Sequence, residues 1–239
     1  MIRSIRTYVN IFGGALTAKP VLNKAKKLKE AGDVAAADQV VHQKIQSWAK
    51  TLTSKSDCEV TVVGQDKIPT DTAVLFVANH QSNFDIPVLL GHIDKTKAFI
   101  AKIELETMPL ISDWMKAMNC VFMDRSNVRQ SVKAINQGAK NMKEGYSMVV
   151  FPEGTRSPDG QLGDFKPGSM KLATKAGVPI VPITINGSKD MMVKGSWLVR
   201  PAKVTLVVGD PIGVDVVKST ETVDLAQMVK NTIEENLTL

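Results

Sequence analysis

From Cys58 onward, short β-prone runs alternate with helical ones, and this alternation restricts the fold more tightly than any other feature of the chain. Runs near 58–63, 73–78, 97–101, 119–123, 147–151, 180–185 and 203–208 read as strands. Helical patterning lies between and beyond them, near 85–92, 104–118, 128–143, 168–176 and 220–236. Such alternation predicts an α/β fold, a central mixed β-sheet covered by helices. Upstream, residues 24–52 read as helical. Ala37, Val41, Ile45, Trp48 and Leu52 recur at steps of four, four, three and four, making one apolar face suited to core packing. The expected division is an N-terminal helical hairpin over 1–55, attached to an α/β domain over 56–239. With 239 residues and 44% hydrophobic content, one such domain can bury a sizeable core.

Two apolar runs deliver chemistry at their ends. Ala73–Ala78 leads into Asn79-His80-Gln81-Ser82-Asn83-Phe84-Asp85. Residues five apart point to opposite faces of a strand and lie about 140° apart on a helix, so neither element alone brings His80 to Asp85. A strand ending near His80 and a helix starting near Asp85 would. Asn79, Ser82, Asn83 and Asp85 are turn or N-cap residues, and Pro87 suits a first helical turn. The imidazole then gives one N–H to Asp85 and keeps its other nitrogen to accept a proton near neutral pH.

The second run, Met148-Val149-Val150, opens into Phe151-Pro152-Glu153-Gly154-Thr155-Arg156-Ser157. A carboxylate, a glycine, a hydroxyl and a guanidinium there offer donors for a phosphate and an acceptor for a hydroxyl. Val121-Phe122-Met123-Asp124-Arg125 delivers a further arginine at a strand end. Val178-Pro179-Ile180-Val181-Pro182-Ile183 carries no chemistry and shapes an apolar wall. Both functional boxes fall at strand ends, where open α/β sheets bind ligands. Asp164–Lys171 reads as a loop entering a helix.

These four stretches, in this order, resemble the glycerolipid acyltransferase family, and most closely its bacterial 1-acyl-sn-glycerol-3-phosphate acyltransferases. The resemblance runs from about Gly64 to Pro211. It implies that His80 is the general base and Asp85 its orienter. Arg125 and Arg156 become phosphate ligands, Glu153, Gly154 and Thr155 shape the glycerol pocket, and Lys102 is a further substrate-binding residue. The implied reaction moves a fatty acyl group from acyl-CoA or acyl-carrier protein to the sn-2 hydroxyl of lysophosphatidic acid, giving phosphatidic acid. No metal or other cofactor is implied, because a thioester is already activated. The chain departs from the pattern at Asn119-Cys120, where the family usually has a glycine; asparagine tolerates the left-handed backbone such a turn needs. Acylation of glycerol 3-phosphate or another lysophospholipid is an alternative, as is a non-catalytic lipid-binding protein on the same scaffold.

Charge locates the partner. Net charge is +6, and the first 29 residues hold Arg3, Arg6, Lys19, Lys24, Lys26, Lys27 and Lys29 with no acid. The uncharged run Thr7–Ala18 between Arg6 and Lys19 is shorter than the roughly 17–25 residues that span a bilayer. A helix lying in the interface, its apolar side in lipid and its lysines on anionic headgroups, is the expectation. That places the protein on the cytoplasmic face of the cell membrane, monotopic or peripheral. Met191-Met192-Val193 and Trp197-Leu198, flanking Lys194, are candidates for lipid contact or burial. Cys58 and Cys120 have neither metal nor disulfide spacing, which favours a reducing compartment. His42 and His92 lack neighbouring ligands for a metal site. Low aromatic content, 5%, and the lack of any recognition motif argue against nucleic acid.

Overall fold

The strand that ends in the histidine box, β2 (Leu75–Ala78), lies at the middle of a seven-stranded sheet and is buried on both faces. The structure is a computed structural model that describes residues 1–16, 19–157, 160–192 and 195–238. Three helices come first: α1 (Ile2–Leu16), α2 (Lys19–Glu30) and α3 (Val34–Lys55). The sheet is formed by β1 (Cys58–Val63), β2, β3 (Lys97–Lys102), β4 (Val121–Met123), β5 (Ser147–Val150), β6 (Ile180–Asn186) and β7 (Ala202–Val208), in the order β1-β7-β6-β2-β5-β3-β4. Strands β6, β2, β5, β3 and β4 run parallel, and β7 is antiparallel to β6, so the sheet is mixed as expected. All seven strands form where the β-prone runs lie.

Helices cover both faces. On one, Val74, Phe76 and Ala78 join Val181, Ile183 and Ile185 under α3 and α4 (Asp85–His92). Gly91 lets these two helices touch: a Cβ there would stand 3.0 Å from the Lys50 backbone nitrogen. On the other face, Leu75, Val77, Met148 and Ile180 pack under α6 (Val128–Lys143), α7 (Lys171–Ala176) and α10 (Thr222–Glu235). Buried on both sides, the central strands are continuously apolar rather than alternating. The apolar face of α3 is used as read, with Ala37, Val41, Ile45 and Leu52 buried and Trp48 partly so.

Helix boundaries differ from the sequence pattern at several places, among them the run 168–176, which opens as a 3-10 turn, Pro167–Met170, before α7. The run 24–52 is two helices, because Gly32 turns at φ +85 and Asp33 caps α3, its carboxylate accepting the Ala36 N–H at 3.1 Å. The run 104–118 splits into a 3-10 turn, Ile103–Thr107, and α5 (Ile111–Ala117), with Pro109 between them lacking the N–H a continuous helix needs. Near the C-terminus a short helix, α9 (Val214–Ser219), precedes α10. At the family departure Asn119 adopts φ +60, the conformation a glycine would supply.

One cation is buried in the sheet away from its functional end. Lys97 is 3% exposed and donates from Nζ to the Ile93 carbonyl at 2.9 Å. Burial pushes its pKa down to about 7, opposed by the charge of Asp94.

Candidate active site

Strands β2, β5, β3 and β4 are parallel neighbours, so the loops after them emerge at one edge of the sheet. At the end of β2, Asn79 pairs through its side chain with the backbone of Ile185 on β6, accepting its N–H at 2.7 Å and donating to its carbonyl at 2.9 Å. That amide continues the ladder where the main chain begins to turn.

The turn brings His80 to Asp85. Imidazole Nδ1 lies 2.6 Å from Asp85 Oδ2. Asp85 is the first residue of α4, yet its carboxylate reaches back, and the same oxygen accepts the N–H groups of Gln81 at 2.8 Å and Ser82 at 2.9 Å. Its other oxygen accepts the hydroxyl of Ser188, on the four-residue helix α8 (Ser188–Met191) that follows β6. Asp85 is fully buried, and these donors replace the water it has lost. A carboxylate can only accept here, so His80 carries its proton on Nδ1 and presents Nε2 as an acceptor. The imidazole stacks on Phe151, ring centroids 4.2 Å apart.

The Phe151–Ser157 loop clasps His80 from both sides. Glu153 Oε1 accepts the His80 N–H at 2.7 Å, and the Ser157 N–H donates to the His80 carbonyl at 2.8 Å. Glu153 Oε2 accepts the Ser157 hydroxyl at 2.6 Å and the Gly163 N–H at 3.0 Å. Both oxygens of this buried carboxylate are therefore engaged within the protein, and it braces the loop against His80.

The cations lie along the rim. Arg125, just beyond β4, donates from Nη1 to the Gly154 carbonyl. Partial desolvation draws its pKa down, and the charge of Glu104 opposes that shift. Gly154 turns at φ +74. Arg156 has no hydrogen-bond or ion-pair partner among the described residues, and Thr155 is exposed. Lys102 ends β3 and is not joined to the other site residues; it pairs with Glu104, whose carboxyl its hydrogen bond holds below the usual range.

Sequence reading had not marked Ser188, Gln81 or Ser157 for these roles. Their signal is weak: each is a small polar residue beside a box, and its partner lies elsewhere in the chain or is a backbone group. Of the segment considered for lipid contact, Met191 and Met192 are buried, whereas Trp197 and Leu198 are exposed. Val193 and Lys194 lie outside the described residues. No group of three or more potential metal ligands occurs among the described residues. His92 ends α4, with Nε2 3.1 Å from the Thr53 hydroxyl.

Known proteins resemble this chain in sequence and fold. The chain is 44% identical over 139 residues to a probable 1-acyl-sn-glycerol-3-phosphate acyltransferase of Mycoplasma pneumoniae, covering 56% of this chain and 52% of the relative. It is 36% identical over 156 residues to a chloroplast 1-acyl-sn-glycerol-3-phosphate acyltransferase of Arabidopsis thaliana, covering 64% and 44%. The chain thus spans about half the length of the curated relatives it matches. The crystal structure of the 1-acyl-sn-glycerophosphate acyltransferase PlsC from Thermotoga maritima superimposes with a TM-score of 0.86 at 32% identity, over 98% of this chain and 93% of that one. The Acyltransferase family model matches residues 59–186, which carry every residue of the His80 and Asp85 pocket except Ser188, and all the boxes up to the end of β6. By that match, over more than half its length, the chain belongs to the Acyltransferase family.

Proposed function

We infer that this protein transfers a fatty acyl group from an acyl thioester, acyl-CoA or acyl-carrier protein, to the sn-2 hydroxyl of 1-acyl-sn-glycerol 3-phosphate, giving phosphatidic acid. The observation that carries the reading is the His80 and Asp85 pair, its carboxylate buried and saturated with donors, beside a rim holding Arg125 and an unpaired Arg156. The relatives' names supply the acceptor.

His80 Nε2 takes the proton of the acceptor hydroxyl as its oxygen attacks the thioester carbonyl. Asp85 holds the ring in the tautomer that makes this possible and faces the imidazolium as it forms. Collapse of the tetrahedral intermediate expels the thiolate, to which His80 returns the proton. Arg125 and Arg156 bind the acceptor phosphate and hold its hydroxyl at the base. Such positioning contributes several kcal/mol to lowering the barrier.

The reaction takes place at a membrane surface. Helix α1 turns two hydroxyl residues inward, with Ser4 and Thr7 fully buried, while Ile2, Ile5, Val9 and Phe12 are exposed. Arg3 and Arg6 fasten it to Asp57 at 2.6 and 2.9 Å. Exposed Trp197 and Leu198 lie alongside, Trp197 bordering an open apolar groove with Ile5, Val9 and Phe12. An apolar face of this size, on a helix followed in the chain by the lysine-rich α2, suits an anionic lipid interface. Among the described residues no helix is long and apolar enough to cross a membrane. Backbone links run from α1 toward the base: Ser4 Oγ accepts the Val199 N–H at 3.0 Å, and the Met192 carbonyl accepts the Ser82 hydroxyl at 3.3 Å.

The test is thiol release by the purified chain in liposomes, with either acyl donor and with lysophosphatidate or glycerol 3-phosphate. Release that depends on lysophosphatidate is expected. Release with neither acceptor, while lipid still binds, overturns the reading in favour of a non-catalytic lipid-binding protein. Phe12→Asp is expected to weaken sedimentation with anionic vesicles.

A further inference from the structure

We propose that Lys166 is a third cation of the phosphate cradle and sets its preference for a phosphomonoester over a phosphodiester. The inference rests on the reading above, in which Arg125 and Arg156 bind the acceptor phosphate.

Two cations converge on one residue. Arg125 donates to the carbonyl of Gly154. On another side of the same residue, a Cβ built at Gly154 would stand 2.8 Å from Lys166 Nζ. The glycine therefore supplies the turn at φ +74 and also the space that the ammonium occupies. The stem of Lys166 is fixed at its root: its N–H donates to the Pro152 carbonyl at 3.1 Å, its neighbour Phe165 is buried, and Pro167 opens the following 3-10 turn.

No anion neutralises this ammonium among the described residues. Glu153, the acid of the adjoining loop, spends its oxygens on the His80 N–H, the Ser157 hydroxyl and the Gly163 N–H. Asp164, two residues away, pairs with Lys230 at 3.2 Å. Lys102, by contrast, has Glu104. Lys166 is thus an exposed, unpaired cation beside Gly154, and an anion lodged against that residue meets Arg125 and Lys166 together. A phosphomonoester carries about −1.5 to −2 charge near pH 7 and three terminal oxygens. A diester carries one charge and two free oxygens, and leaves one of the three cations unsatisfied.

The experiment uses the full chain in mixed micelles with the wild type, Lys166→Gln and Lys166→Arg. Initial rates are measured with lysophosphatidate, glycerol 3-phosphate and lysophosphatidylglycerol, a phosphodiester. Lys166→Gln is expected to raise KM for the monoester acceptors about tenfold at nearly constant kcat, with no comparable loss for the diester and an unchanged Tm. Lys166→Arg is expected to stay near wild type. An unchanged monoester KM in an otherwise active Lys166→Gln enzyme overturns this proposal and leaves the acyltransferase reading standing, as does an equal loss for both acceptor classes. A wild type that acylates neither monoester overturns both.

Discussion

The pocket around Asp85 and the rim around Gly154 are built on opposite principles. In the pocket every polar contact is closed: Asp85 is fully buried and accepts from His80, Gln81, Ser82 and Ser188. At the rim, the side chains of Arg156 and Lys166 have no protein partner among the described residues, and Arg125 uses one nitrogen of a guanidinium with five donor hydrogens. A group that must hold one tautomer is satisfied within the fold, where satisfaction gives rigidity. The groups proposed to bind an anion are left with unused donors. Glu153 lies between the two regions and joins them, since its oxygens tie the rim loop to His80.

The largest test of this contrast is His80→Ala, which is expected to lower kcat about 10²–10⁴-fold in the thiol-release assay while the far-ultraviolet circular dichroism and Tm stay near wild type. Near-normal turnover would sink the assignment of the base. Next, Arg156→Ala should raise the acceptor KM about 10–100-fold, consistent with loss of a charge-assisted hydrogen bond, and leave kcat little changed. An acceptor KM that does not move would mean the rim does not hold the phosphate. Ser188→Ala should show the pocket signature, a fall in kcat of about tenfold with acceptor KM unchanged, because it takes a donor from a buried carboxylate without touching substrate. A shift in KM alone would place Ser188 functionally with the rim.

The smallest effect on turnover should come from Lys97, a cation that is closed off and remote from both regions. Its folded pKa of about 7 lies below the 10.5 of an ordinary lysine, so between these values the unfolded chain holds the extra proton. Stability therefore rises with pH across that window and is lost as pH falls through about 7. Lys97→Met is expected to raise Tm at pH 6 by about 3 °C or more, with the gain shrinking toward pH 10 and turnover unaffected. The Ile93 carbonyl keeps a donor in that variant, the Lys95 N–H at 3.0 Å. A gain independent of pH would show that burial of the ammonium is not its source.

By itself the sequence determined the elements and the chemistry local to them. Seven β-prone runs give seven strands: β2, β5 and β6 are buried throughout because both faces of the sheet are covered there, whereas β1 and β7 alternate. The turn between His80 and Asp85 was equally legible, since both groups come from one strand-to-helix connection of six residues. What crosses the chain was not. Ser188 meets Asp85 across 103 positions, and a lone serine after an apolar strand has no periodicity to announce it. Lys166 acquires its place only when Gly154 leaves room for it, a vacancy that exists in three dimensions and not in composition. The outward apolar face of α1 was implied by a short uncharged run among basic residues, but only the packed structure shows that Ser4 and Thr7 are on its buried side. Local propensity acts over a few residues and is written in order along the chain. Hydrogen bonds to a buried carboxylate and the convergence of like charges depend on which strand lies beside which, and that is settled by burial of the sheet as a whole.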